Sequence, residues 1–455
     1  MEWDMKTISH LFLLAAMLGG YESIASHGII LMQAASAADT EDESLPPPLD
    51  VPGLLNRLRS DDATVRCQAL NELSRGKPIQ KPPDALVDAI GHILAHDTEP
   101  TARVYACGLL GRWHSPASLE YLRRGVTSKD PQTRASAVSH LSLYGEKAAA
   151  AVADIISTLD DESSDEITWV GAPFNLQPVR YFGVNALGDI GPSAKAALPK
   201  LVSMLRDDDD PLTRIAAARA VILIGEGDDE ALRMLLDELS TDEDEHVVDD
   251  IGELPRDASV KRRTKAAMAI ADAGRLAKAA LPVMLEMYPR EKEMIARAMY
   301  LSAFANFGVL DPQIVKIAKS ELYSDEPALL ESAVKALDSQ DDLARQAIPE
   351  LRHLLLAASK RGDQSTIAHI QLRAIALIAK VASVDVAVDV FREKLSQPSA
   401  DPEVASAIIQ RLKSYGPRAR NAVPTLRDVL KRHRAAEDEI IEALTEIEEE
   451  TTTAR

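Results

Sequence analysis

The chain has 455 residues, a formal net charge of −20, and 46% apolar but only 4% aromatic residues. So acidic a chain repels phosphate backbones, which excludes general nucleic-acid binding. With few aromatics the interior must be built from Ala, Leu, Ile and Val, as in stacked helices, and one elongated repeat array uses this length as readily as three ordinary domains.

Residues 1–38 read as a signal peptide. Lys6 precedes an apolar run from Leu11 to Gly20, a second run covers Gly28 to Met32, and Ala35-Ser36-Ala37 is a small-x-small cleavage site. Glu22 and His27 split the runs, and neither reaches the roughly 20 residues that span a bilayer. Glu2 and Asp4 are unusual before such a core, and a start at Met5 removes them. The expectation is an exported chain, periplasmic or extracellular, with a net charge of −18 after cleavage and no integral membrane segment. An uncleaved N-terminal tether is the alternative. Residues 39–50, acidic and then Pro-rich, read as a flexible lead-in.

From 51 to 455 the chain is periodic. An Arg column stands at Arg66, Arg103, Arg134, Arg180, Arg214, Arg263 and Arg297. Three residues on there is in most copies a small residue (Ala69, Ala106, Ala137, Gly183, Ala217, Ala266), and seven on a large one (Leu73, Leu110, Leu141, Leu187, Val221, Ile270). Offsets of three and seven share one helical face. Eleven residues on come Gly145, Gly191, Gly225, Gly274 and Gly308, suited to the left-handed residue that ends a helix. Asp130-Pro131, Asp210-Pro211 and Asp401-Pro402 mark helix starts; after the last of these Ala405 holds the Arg position and Gly416 still follows eleven residues later. A second column, Ala-x-x-Ala-(Leu, Ile or Val)-Pro, recurs at Ala194–Pro199, Ala277–Pro282, Ala344–Pro349 and Ala419–Pro424, with a Pro-less copy from Ala148. It marks the partner helix.

The Asp-Pro-x-x-Arg turn, the Ala-x-x-Ala-Leu-Pro run and the glycine cap resemble HEAT repeats, especially the short phycobilisome-lyase HEAT-like type, over nearly everything from Pro52 on, weakening after Leu337. The resemblance implies an all-α solenoid of about ten to eleven helix pairs, with Val51 to Gly76 as its first repeat and Arg418 to Glu450 as its last pair. It also implies a structural ladder of Asp with Arg, here Asp130 with Arg134 and Asp210 with Arg214. It says almost nothing about function.

Spacing along the Arg column is mostly 31 to 37 residues but widens to 46 after Arg134 and to 49 after Arg214. The additions, residues 162–177 and 241–258, fall between the two helices of a pair and therefore emerge on one edge, two repeats apart. The first holds Trp169 and Phe174, the second Val247, Val248, Ile251 and Leu254. Long loops on a rigid scaffold often carry binding, so these are the candidate partner contacts; the alternative is that they cover helix ends.

No catalytic set stands out, and no catalytic, cofactor or metal residue is assigned. Two activities on similar repeats set the comparison. A hydroxylase-like di-iron site needs His-Glu dipeptides, which the chain lacks; nothing separates a bilin-lyase-like protein from an adaptor. His92 and His96 sit one helical turn apart without a third ligand, and read as surface histidines. Cys67 and Cys107 lie in the second helices of the first two pairs, where a disulfide is open but two buried small residues are the simpler reading. The acidic runs Asp160 to Glu166, Asp207 to Asp210 and Asp242 to Asp250 lack the spacing of a calcium loop and read as solvated turns. The basic stretch Arg411 to Arg434 precedes the acidic Glu437 to Glu450, and the two read as helices joined by ion pairs. The expected function is a non-catalytic scaffold that binds a protein partner over a face made by the second helices and the two edge loops. Its partner's identity and its oligomeric state are not encoded legibly. An enzyme subunit and a structural spacer of the cell envelope are the alternatives.

Overall fold

The computed structural model describes residues 50–76, 79, 81–163, 177–240, 258–357, 364–397, 401–432 and 436–448. Among them every regular element is helical, and the helices fall into eleven consecutive pairs. The chain divides into two units, Met1–Ala277 and Lys278–Arg455.

Unit one holds six pairs: α1 (Val51–Leu58) with α2 (Ala63–Arg75), α3 (Asp84–His96) with α4 (Pro100–Trp113), α5 (Pro116–Gly125) with α6 (Pro131–Ser142), α7 (Val152–Ile156) with α8 (Val179–Ile190), α9 (Leu198–Asp207) with α10 (Pro211–Gly225), and α11 (Asp229–Leu239) with α12 (Ala258–Ala273). Unit two holds five: α13 (Leu281–Met287) with α14 (Met294–Asn306), α15 (Pro312–Glu321) with α16 (Pro327–Asp338), α17 (Ile348–Leu356) with α18 (Gln364–Val381), α19 (Val384–Leu395) with α20 (Pro402–Tyr415), and α21 (Val423–Arg432) with α22 (Glu437–Glu448). Stacked helix pairs, as the resemblance implied, make up each unit.

The two helices of a pair differ because their surroundings differ. First helices bury one stripe; α9 buries only Leu201, Met204 and Leu205, the i, i+3, i+4 pattern of a one-sided helix. Within each unit the inner second helices stack on neighbouring second helices as well as on their own partners. Their buried surface is correspondingly wider, and in α8 every residue but Asp189 is buried. The small column lies where helices come closest: Ala69, Ala106, Ala137, Ala217 and Ala266 are fully buried. Gly183 keeps this position in α8 because a Cβ there would stand 2.5 Å from Thr158 Oγ1. The large column fills the adjacent core, with Leu110, Leu141, Leu187 and Ile270 fully buried.

Helix starts follow the sequence signals. Asp130 accepts from the Thr133 amide and Asp210 from those of Leu212 and Thr213, with Pro131 and Pro211 in the first turn. The Ala-x-x-Ala runs form 3-10 turns that lead into first helices, and Pro199, Pro282, Pro349 and Pro424 each occupy the opening turn of the helix that follows. Gly145, Gly191, Gly274, Gly308 and Gly416 all take positive φ, between 51° and 70°. Gly225 does not. Here α10 continues through the glycine, and Glu226 takes the left-handed conformation at φ 60°. The fifth pair has no 3-10 lead-in after it, and Asp228 instead caps α11 directly, accepting from the Ala231 amide. A side chain in this conformation costs ~1–2 kcal/mol relative to glycine, so Glu226→Gly is expected to raise the stability of unit one by about 1 kcal/mol, read as a shift in urea midpoint.

In unit two four aromatic rings gather. Tyr300, Phe304 and Phe307 are buried on α14 and just beyond it, with Tyr288 against them at ring separations of 5.9 and 6.1 Å from Tyr300 and Phe304. Basic α20 to α21 and acidic α22 are joined as the sequence suggested: Lys413 pairs with Glu442 at 2.7 Å and Arg427 with Glu448 at 2.6 Å.

Candidate functional site

The first-to-second turns of the first five pairs are linked along one edge, and the Arg column builds that edge. Arg66 donates Nε and Nη2 to the Asp97 carboxylate, both at 2.6 Å, while Nη1 donates to the Ser60 carbonyl of its own turn at 2.8 Å. Arg103 repeats this with Asp130 at 3.0 Å, Thr133 Oγ1 at 2.9 Å and the Asp97 carbonyl at 2.6 Å. Arg134 reaches Asp161 at 2.7 Å and the Ser128 carbonyl at 2.9 Å. Arg180 takes Asp208 at 3.1 Å and Asp209 at 2.9 Å. Arg214 donates to the Asp208 carbonyl at 2.7 Å, and Arg263 lies half-buried on α12. In unit two Arg297 pairs with Glu321 and stacks 5.2 Å from the Tyr288 ring centre.

The ladder is real but offset by one repeat from the expected pairs. Asp130 holds Arg103 rather than Arg134, and Arg134 holds Asp161. Asp210 accepts from the Leu212 and Thr213 amides and from Thr213 Oγ1. A cap carboxylate faces its own helix amides, and an Arg four residues further on reaches back past its own turn to the carboxylate of the next. Two acidic runs thus contain structural members, Asp161 and Asp208.

Burial pushes the Asp97, Asp130 and Asp161 carboxyls up. Side-chain bonds from Arg66 to Asp97, from Thr133 and Arg103 to Asp130, and from Arg134 to Asp161, with backbone amides added, more than offset it, so all three titrate below the usual range. A carboxyl lowered by folding contributes stability above its unfolded value, which is lost as pH falls through the folded one. Thermal stability is therefore expected to drop as pH falls below about 4, and Asp97→Asn is expected to flatten part of that loss in a melting series.

The described residues flanking the first insertion are bonded to each other. The Val179 amide donates to the Ser163 carbonyl at 3.1 Å, and the Arg180 amide to the Asp161 carbonyl at 2.9 Å. Residues 163 and 179 are thus bonded across the gap while Asp161 keeps its ladder place. Trp169, Phe174, Val247, Val248, Ile251 and Leu254, and the expected signal segment with most of the lead-in, lie outside the described residues. On the same edge a cleft of about 450 Å³ opens between the ends of α3 and α5, bordered by His96, Asp97, Arg103, Tyr121, Arg124 and Lys129.

One group was not flagged by the columns. Arg219 on α10 donates Nη2 to Asp189 of α8 at 2.6 Å and Nε to Asp272 of α12 at 3.0 Å. All three are nearly enclosed. Burial raises the Asp189 carboxyl, Arg219 only partly offsets this, and Asp272 pushes the same way. The available signal was a lone charge inside the apolar run Ile215 to Ile224, with Asp nine residues after both Arg180 and Arg263.

The remaining candidates are structural or isolated. The exposed rings of His92 and His96 stand 4.6 Å apart. Among the described residues no set of three or more His, Cys, Asp or Glu side chains is placed to hold a metal. Cys67 and Cys107 are free thiols; burial pushes Cys107 up to about 12. Among the described residues no helix is long and apolar enough to cross a membrane.

The HEAT-repeat family profile matches residues 87–171 and 176–254, which are pairs that carry the Arg ladder. Those two segments are HEAT repeats. No curated protein matches its sequence. Among solved structures, the complex of CpcE and CpcF of phycocyanin lyase from Nostoc sp. PCC7120 is 19% identical, with 61% of this chain and 96% of that one covered at a TM-score of 0.39. An engineered protein is 18% identical over 88% of this chain and 100% of its own, at 0.33. The karyopherin Kap121p bound to the extreme C-terminus of the protein phosphatase Cdc14p is 15% identical over 97% of this chain and 50% of its own, at 0.39.

Proposed function

We propose that this HEAT-repeat chain is a non-catalytic scaffold that binds a basic protein partner along the edge of its first-to-second turns. The observation that carries this reading is the backbone bond between Ser163 and Val179: the described residues flanking the first insertion are joined without it, so the insertion is not needed to finish the turn. Charge gives the partner's character. The three acidic runs in successive turns, 160–166, 207–210 and 242–250, hold fifteen carboxylates and no Lys or Arg. Opposite charge steers association and discriminates against acidic proteins.

The test is removal of residues 164–176 with Ser163 joined to Gln177. Helicity and melting temperature are expected to stay near those of the intact chain while capture of its partner from an extract weakens by about tenfold or more. Undiminished capture would remove the insertion from the binding surface.

Export belongs to the same proposal, on the strength of Lys6, the apolar runs and Ala35-Ser36-Ala37. Protein recovered from its native envelope or medium should begin near Asp39; recovery with residues 1–38 intact would favour a tether or no export.

A further inference from the structure

Each rung of the Arg ladder joins one turn to the next. The buried group of Asp189, Arg219 and Asp272 does something different: it ties the second helix of the fourth pair to that of the sixth through the fifth. Those outer two are the pairs interrupted by the insertions, residues 162–177 and 241–258.

The geometry leaves little freedom. Nη2 of Arg219 serves Asp189 at 2.6 Å and Nε serves Asp272 at 3.0 Å, so one planar guanidinium holds carboxylates in two fixed directions. Sliding either outer helix by more than about an ångström would lengthen a bond beyond hydrogen-bond range. Side-chain exposures of 7% for Arg219, 10% for Asp189 and 17% for Asp272 mean that little water stands ready to replace a lost partner. Beside the arginine the backbones are already close: a Cβ on Gly188 would stand 3.1 Å from Arg219 Nη1 and 3.1 Å from Ala220 Cα.

We infer that Asp189, Arg219 and Asp272 form a register lock that fixes the spacing of the two insertion-bearing repeats. Its consequence, that both insertions are presented together to one partner, rests on the binding role proposed above; the lock itself does not.

Spin labels at Ala153 on α7 and Arg233 on α11, both exposed and on the first helices of the two pairs, report the spacing in a Cys67→Ser, Cys107→Ser background. The intact lock should give a single narrow distance distribution, and Arg219→Met one about twofold broader or shifted. Arg219→Lys keeps the charge but cannot span both carboxylates, so it should broaden the distribution too and serves where the methionine variant loses helicity. Unchanged width in a folded variant of either kind would overturn the lock. Partner capture is scored separately: capture that survives a broadened spacing overturns joint presentation and leaves the lock standing.

Discussion

Arg219→Met is expected to destabilise unit one by about 3–5 kcal/mol, because it leaves Asp189 and Asp272 buried without their shared cation. The cost is that of stranded charge, and lost packing adds little, since methionine fills much of the same volume. Replacing all three residues with apolar ones of similar size is therefore expected to recover most of the loss, as removing a whole buried ionic group is often neutral. Urea unfolding of the single and triple variants, followed by far-UV circular dichroism, checks both. Equal losses in the two would mean that packing around α8, α10 and α12, and not charge, accounts for the effect.

The second large effect is expected in unit two. Phe304 is fully buried between Tyr288, Tyr300 and Phe307, with ring separations of 6.1, 6.4 and 6.4 Å. Phe304→Ala is expected to cost about 3–5 kcal/mol, since the cavity is walled by rigid rings that cannot collapse into it. Phe304→Leu should cost distinctly less. Thermal melts of the two variants distinguish cavity formation from a general sensitivity of α14.

The fold was legible because the same physical problem is solved again in each repeat. A close helix crossing demands Ala or Gly, so Ala106, Ala137 and Ala217 recur at one offset from an Arg. A helix that must turn back demands a residue with positive φ, so Gly145, Gly191 and Gly416 recur at another. Gly225 shows the limit of such reading: glycine stands in the column, but the helix runs on through it and Glu226 takes the turn. The ladder shows a second limit. Sequence places Asp130 four residues from Arg134, yet the side chains reach across repeats, and which neighbour they meet is set by stacking.

The candidate site was legible only in outline. Uneven spacing located the insertions, but the bond between Ser163 and Val179 is a matter of backbone geometry with no residue signature. The buried triad joins Asp189, Arg219 and Asp272, side chains from three separate repeats that lie 30 and 53 residues apart along the chain. Long-range pairing of this kind is written in the stack rather than in any local stretch.

The most direct test of binding on the first-to-second edge is site-specific photo-crosslinking to the partner. Crosslinkers replace Glu162 and Asp209 on that edge, whose side chains are 80% and 92% exposed, and Ala149 and Glu226 on the opposite one, both also exposed. Partner adducts at residues 162 and 209, with none at 149 and 226, are the predicted result. Adducts confined to 149 and 226 would contradict it.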